Sequence, residues 1–197
     1  MSGERRQQIL EVLASELEAS PGARLTTATL AARVGVSEAA LYRHFPSKAK
    51  MFDALIDFAE HSVFSLITRI LDNESDGLQR CEKICELLLV FAARNPGITR
   101  ILTGDILTGE HERLRARVNQ FFDRLETQFR SVLRDALLSD GPKPDRAEVN
   151  AAASLLVTTV VGRLAQFVRS AWRVQPQRDW DQQWPMLARG IFNYPAE

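Results

Sequence analysis

TTATLAARVGVSEAALYRHFPSKAKMF, residues 26–52, decides the fold of this 197-residue chain. Leu30, Ala31 and Val34 recur at helical spacing behind the Thr26-Thr27 pair, whose hydroxyls suit a helix N-terminus. Gly35 follows at once, where a helix ends in a left-handed residue that glycine adopts most cheaply. Ser37 then caps a second short helix, Glu38 to Phe45. Pro46 closes it, because the residue before a proline resists helical geometry. Two short helices about a glycine turn make a helix-turn-helix.

The second of these helices has two unlike faces. Leu41 and Phe45, four residues apart, anchor one of them. The other offers Ser37, Glu38, Ala39, Tyr42, Arg43 and His44. Small residues at its start let a helix sit deep in a groove, while donors along it reach phosphates and base edges. Thr26, Thr27, Tyr42, Arg43 and Lys48 are expected on phosphates, with Arg24 near the groove edge. Ser37, Glu38 and Ala39 enter the groove, where Glu38 can accept from a cytosine amine. Ser47, Lys48 and Lys50 open the next helix, whose first amides also suit a phosphate. Arg5 and Arg6 belong either to a solvated helix end or to the rim of a DNA contact.

Bulk charge is silent, since 25 basic and 25 acidic residues cancel. Local charge is not. From Ser20 to Lys50, Arg24, Arg33, Arg43, Lys48 and Lys50 stand against Glu38 alone. A basic end on an otherwise acidic chain turns that end toward DNA. Cys81 and Cys85 lie four apart on one helical face and read as thiols packed in a core. The three histidines are scattered, so no metal site and no cofactor is expected. MSGERRQQIL has no secretory core and no window reads as a bilayer span, which points to a soluble, cytoplasmic protein.

Along the chain the 3.6-residue period repeats and no strand-like alternation occurs, so the expected class is all-α. A first helix spans about Glu4 to Ala19 and ends at Ser20-Pro21-Gly22. After the helix-turn-helix a long helix runs from Ser47 to about Asn73, with Leu66 and Ile70 counted on its apolar face. The next, Leu78 to Arg94, carries Leu87 to Phe91, apolar on all sides and expected to be buried. ITRILTGDILT, residues 98–108, forms a short helix or turn. Glu110 to Leu138 shows a stripe of Val118, Phe122, Leu125, Phe129, Val132 and Leu133. The loop SDGPKPD separates it from a helix over Arg146 to Arg173, whose apolar face is too wide for one partner. A last helix lies near Asp179 to Phe192.

The VGVS turn, the Leu41-to-Phe45 run LYRHF and the Ser47-Lys48 pair resemble the DNA-binding domain of the TetR family. With RNPGITRILTG at 94–104, the chain is similar to the nucleoid occlusion factors within that family. The resemblance spans nearly the whole chain, most strongly over 24–58 and 94–104. It implies a TetR-like all-α fold with an N-terminal three-helix helix-turn-helix domain, residues 1–46. A C-terminal helical regulatory and dimerisation domain, residues 47–197, follows. It implies a homodimer built through the last two helices, with one or more dimers on each palindromic site of double-stranded DNA, and hence association with the nucleoid. It also implies a protein partner: such factors engage the C-terminal tail of the division GTPase FtsZ and block its ring over the nucleoid. The tail's groove lies between the fourth and fifth helices, and the matching positions are Phe58, Leu87, Val90, Arg94 and Asn95. The family carries a base near Leu66, whereas the nearest here is Arg69, and Val90 stands where a smaller residue would leave more room.

Two other classes are weaker. A ligand-responsive repressor of TetR type needs a pocket with a few polar groups among the body helices; Arg163 and Gln166 are the available residues, and solvated or interface positions suit them better. An enzyme lacks support: there is no strand to precede a Gly-rich phosphate loop, and no nucleophile context for the serines and histidines. Asp57 and His61 share a helix face and read as a surface hydrogen bond.

Overall fold

The computed structural model describes residues 2–19, 25–107, 112–139 and 145–192, and five of its α-helices start at a side-chain cap. α1 (Ser2–Ala19), α2 (Thr27–Val34) and α3 (Glu38–His44) make the head. Thr26 Oγ1 accepts from the Thr29 amide at 3.1 Å and so caps α2. Ser37 Oγ does the same for α3, accepting from the Ala40 amide at 3.2 Å. Each such cap is worth about 1 kcal/mol. Gly35 ends α2 with φ 76°, a left-handed conformation that a side chain would strain. Ile9, Leu13, Leu17, Leu30, Leu41 and Phe45 fill the centre of the head.

The body follows as α4 (Lys48–Asn73), α5 (Gly77–Arg94), α6 (Pro96–Leu102), α7 (Glu112–Ser139), α8 (Arg146–Arg169) and α9 (Trp180–Phe192). A short 3₁₀ turn, Asp105–Leu107, precedes α7. Ser47 caps α4 and Asp76 caps α5. At ~1.5 Å per residue, α4 extends ~39 Å and carries the head's last turn deep into the body. Its buried residues, Met51 to Ile67, belong to one continuous core with those of the head.

Three boundaries or faces differ from expectation, each for a physical reason. α8 stops at Arg169, because Ser170 Oγ donates to the Phe167 carbonyl and accepts from the Val174 amide at 2.9 Å. Ala171 and Trp172 then adopt left-handed backbone, φ 48° and 68°, at a cost of about 1 kcal/mol each. On α7 it is Phe121 that enters the core, edge-on to both Phe64 and Phe122, while Phe122 is half-buried. In the apolar run of α5, Leu88, Leu89 and Phe91 are buried, but Leu87 and Val90 are only half-buried.

α8 is also long and apolar enough to cross a membrane by length and composition. Less than half of its apolar window is buried within one chain. That exposed apolar face is therefore the feature to explain, and Leu155 at 45% exposure is its largest member.

α4 and α7 are joined by an ion ladder. Arg117 donates to Asp53 at 3.3 Å, to Asp57, and to Glu60 at 3.0 Å, and Arg124 reaches Glu60 at 3.3 Å. Asp57 is thus committed to Arg117 and not to His61. Arg124 also lies over the Phe64 ring, 3.7 Å from its centre. Burial pushes the Asp53 carboxyl up, but hydrogen bonds and charge from Lys50 and Arg117 outweigh it and hold the group below its ordinary 3.8. A lowered carboxylate adds stability that is present above that ordinary value and lost as the pH falls through the lowered one. Urea midpoints followed from about pH 6 to about pH 2.5 should therefore fall more steeply for the wild type than for Asp53→Asn. Parallel curves would count against the ladder.

Candidate nucleic-acid interface and partner groove

The exposed face of α3 is built from its first turn outward. Ser37, Glu38, Ala39, Tyr42 and Arg43 are exposed and His44 is half-buried, while Leu41 and Phe45 point into the head. Tyr42 Oη donates to Thr27 Oγ1 at 3.3 Å, and Thr27 Oγ1 donates to Glu38 Oε2 at 2.9 Å. The start of α2 and both turns of α3 are therefore linked by one polar chain. Glu38 is held by this chain in the free protein, so accepting from a base requires it to exchange the Thr27 hydroxyl. Arg43 forms no ion pair among the described residues, which leaves its charge available. Thr26 serves as the α2 cap, so Thr26→Ala removes structure as well as a hydroxyl. Arg24 lies outside the described residues.

Lys48 opens α4 beside this face, its ammonium 5.3 Å from the centre of the Phe52 ring. Lys50 is paired with Asp53 at 3.0 Å. Arg6 is not a free arm at a rim. Its guanidinium stacks 4.1 Å over Phe45 and donates to the His44 carbonyl at 2.8 Å, closing the C-terminus of α3 onto α1. Arg5 bonds Gln8 along its own helix at 2.7 Å.

A second feature lies between α4 and α5. Phe58 is 46% exposed and Leu66 38% exposed, against the expectation that Leu66 is covered. Leu66, Arg69, Ile70, Asn73, Glu74, Lys83 and Leu87 line an open cleft of about 320 Å³. Arg69, the base nearest to Leu66, thus stands in the cleft wall and makes no ion pair among the described residues. Val90, Arg94 and Asn95 continue along α5 and beyond its end. Arg94 is exposed, and the Asn95 amide donates to the Phe91 carbonyl at 2.8 Å, closing the helix. Of the expected groove residues, Leu87 alone lines the cleft; Phe58, Val90, Arg94 and Asn95 are not in its lining.

α6 joins the two features. Arg100 is only 1% exposed and donates to the Leu17 carbonyl of α1 at 2.9 Å and to Asp105 at 2.7 Å. Gly97 packs so closely on α1 that a Cβ would stand 2.1 Å from the Ala14 carbonyl oxygen. Sequence reasoning flagged RNPGITRILTG only as a likeness and missed this junction. No local signal was present: Ile98, Ile101 and Leu102 lie on other sides of the helix from Arg100, whose burial is set by α1 and by Asp105.

The comparisons fit this geometry. Residues 9–55 match the model of bacterial regulatory proteins of the tetR family, and residues 75–191 match the SlmA-like C-terminal domain, described as tetracyclin repressor-like. The nucleoid occlusion factor SlmA of Shewanella pealeana is 53% identical over 187 residues, covering 95% of this chain and 94% of its own. That of a Marinomonas species is 52% identical over 188 residues, covering 95% of each. The chain belongs to the SlmA family, a branch of the TetR family.

Solved structures agree on the fold. The fatty acid degradation regulator FadR from Bacillus halodurans superposes with a TM-score of 0.76 at 12% identity, covering 95% of this chain and 96% of its own. A TetR-family regulator from Agrobacterium tumefaciens gives 0.74 at 19% identity, covering 96% and 98%. The all-α, TetR-like architecture expected from the sequence is thereby established. In this SlmA-family chain Arg163 and Gln166, considered above as pocket residues, line a small cleft of about 180 Å³, and Arg163 also holds the chain beside it. Its guanidinium donates to the Pro176 carbonyl at 2.7 Å, the Arg178 carbonyl at 3.1 Å and the Gln183 side chain, and lies over Trp180. Burial lowers its pKa, opposed by the charge of Asp179. Cys81 and Cys85 are buried thiols, and burial pushes Cys81 up to about 12.

Proposed function

We propose that the protein is a homodimeric nucleoid occlusion factor. It binds palindromic double-stranded DNA on the chromosome and there antagonises assembly of the FtsZ ring, so regulating cell division. The observation that carries this reading is near full-length identity above one half with proteins named nucleoid occlusion factor SlmA. Residues 1–46 act as the DNA-binding unit and 47–197 as the dimerisation and regulatory unit, in the cytoplasm and on the nucleoid.

The geometry supports each part. Thr27, Tyr42, Arg43 and Lys48 surround the exposed face of α3 and supply phosphate contacts, together with Thr26 and Arg24. Ser37, Glu38, Ala39 and His44 face the bases. The uncovered apolar face of α8, with Leu155, and Met186 of α9, 65% exposed, are closed by a second copy of the chain. Nothing within 4 Å would meet a Cβ on Gly162, so that stretch of α8 is open for close helix approach. Two-fold pairing also lets one short helix per copy read a symmetric site. The cleft with Leu66, Ile70 and Leu87 offers apolar surface to the FtsZ tail, and Arg69 in its wall offers a cation to acidic residues. Phe58, Val90, Arg94 and Asn95 lie outside its lining and would extend the contact. A ligand-responsive repressor is less well supported. The cleft between α4 and α7 opens to solvent and is lined by Asp57, Glu60, His61 and Arg124, a charged surface instead of an enclosed apolar one.

Arg43→Ala or Lys48→Ala should flatten the plot of log affinity against log salt by ~0.9 per lost phosphate contact, hence ~1.8 per dimer. An unchanged slope in a gel-shift series would remove that residue from the interface. For the division role, FtsZ is sedimented with protein alone, with a cognate palindrome and with a scrambled duplex. The palindrome should reduce pelleted FtsZ most. Equal pellets in all three would refute FtsZ antagonism while leaving DNA binding intact.

A further inference from the structure

The segment joining α8 to α9 reaches back to the head. Trp172 Nε1 donates to the Glu18 carbonyl in the last turn of α1 at 3.1 Å. One residue earlier, the Leu17 carbonyl takes the Arg100 guanidinium at 2.9 Å. The last carbonyls of a helix have no partner within it. Here two consecutive ones are met by side chains from two separate body elements. To deliver the indole, Ala171 and Trp172 both hold left-handed backbone, φ 48° and 68°, and Asp179 before α9 holds φ 57°. Such residues persist only where their surroundings over-determine them, and they cluster at functional positions. The indole packs against the Phe167 ring of α8, ring centres 5.0 Å apart and planes inclined at 52°. Arg163 of α8 pins the far part of the segment through the Pro176 and Arg178 carbonyls and Gln183 of α9. The segment is thus fixed to α8 and α9 at one end and to α1 at the other.

We propose that residues 170–179 form a strut that sets the pose of each head relative to the dimer axis, with Trp172 as a positioning residue for DNA binding. The inference rests on the reading that α8 and α9 meet across that axis. Two heads on a palindrome must present their recognition helices about one DNA turn apart, ~34 Å. That separation depends on how each head sits on the helices that meet its mate. α4 joins the head to the side of the body that holds the cleft. The strut joins the head directly to α8 and α9, and so transmits the dimer's geometry without passing through the cleft.

The test uses full-length dimers carrying Trp172→Phe, which keeps a ring beside Phe167 and removes the donor together with part of the indole's bulk. A nitroxide is attached through Ala32→Cys, an exposed position on α2, while the two native thiols stay buried. Dipolar spectroscopy then measures the distance between the labels of the two copies. Gel shifts compare the native palindrome with duplexes whose half-sites are one base pair closer or farther. The expected result is a broadened distance distribution, with about fivefold weaker binding to the native spacing and a smaller loss on the altered ones, as one hydrogen bond permits. An unmoved distribution overturns the strut. So does an equal loss on every spacing with a lower unfolding temperature, which makes Trp172 merely structural. A monomeric sample overturns the dimer reading and the strut together, whereas an intact dimer with unmoved labels overturns the strut alone.

Discussion

A buried guanidinium meets the end of α1. Arg100 sits almost without solvent between the Leu17 carbonyl of the head and Asp105 of the body, and beside it Gly97 lets α6 touch the backbone at Ala14. Removing a hydrogen bond from a buried cation is costly, because no water replaces it. The head therefore cannot tilt away from α6 without taking the Leu17 carbonyl from Arg100. This constraint makes a three-helix reader and a six-helix body one mechanical object, and places the recognition helix at a defined angle. Arg6 extends the same logic into the head by tying the C-terminus of α3 to α1.

Surfaces left uncovered by this packing divide the remaining tasks. The apolar face of α8 is too extensive for a lone chain and suits a second copy. The α4–α5 cleft is smaller and mixed in character, with Arg69 in its wall forming no ion pair among the described residues. The α3 face is polar and basic, as a groove reader requires. These surfaces lie on different helices, so covering one leaves the others open. α4 carries the Arg117 ladder on one side and the cleft on another, which puts the base of the head and the cleft on one rigid rod.

What the sequence revealed was largely local. Thr26, Ser37 and Ser47 cap the helices they precede, and Gly35 turns left-handed between them, because capping and φ preferences act over three or four residues. The exposed face of α3 followed from the same spacing that buries Leu41 and Phe45. Contacts distant in sequence were hidden. Arg6 meets His44 38 positions away, Arg100 meets Leu17 across 83, and Trp172 meets Glu18 across 154. Periodicity also overstated burial. Leu66, Leu87 and Val90 fit an apolar pattern, yet Leu66 is exposed and Leu87 and Val90 are only half-buried. Their exposure depends on how the helices cross, which no short window contains.

The head-to-body tie is tested most directly by hydrogen exchange on the intact dimer, free and bound to a palindromic duplex. If α1 and α6 are locked through Arg100, DNA should slow exchange in α2 and α3 and, with them, in the last turn of α1 and in α6. Slowing confined to α2 and α3, with α6 exchanging as in the free protein, would contradict the account.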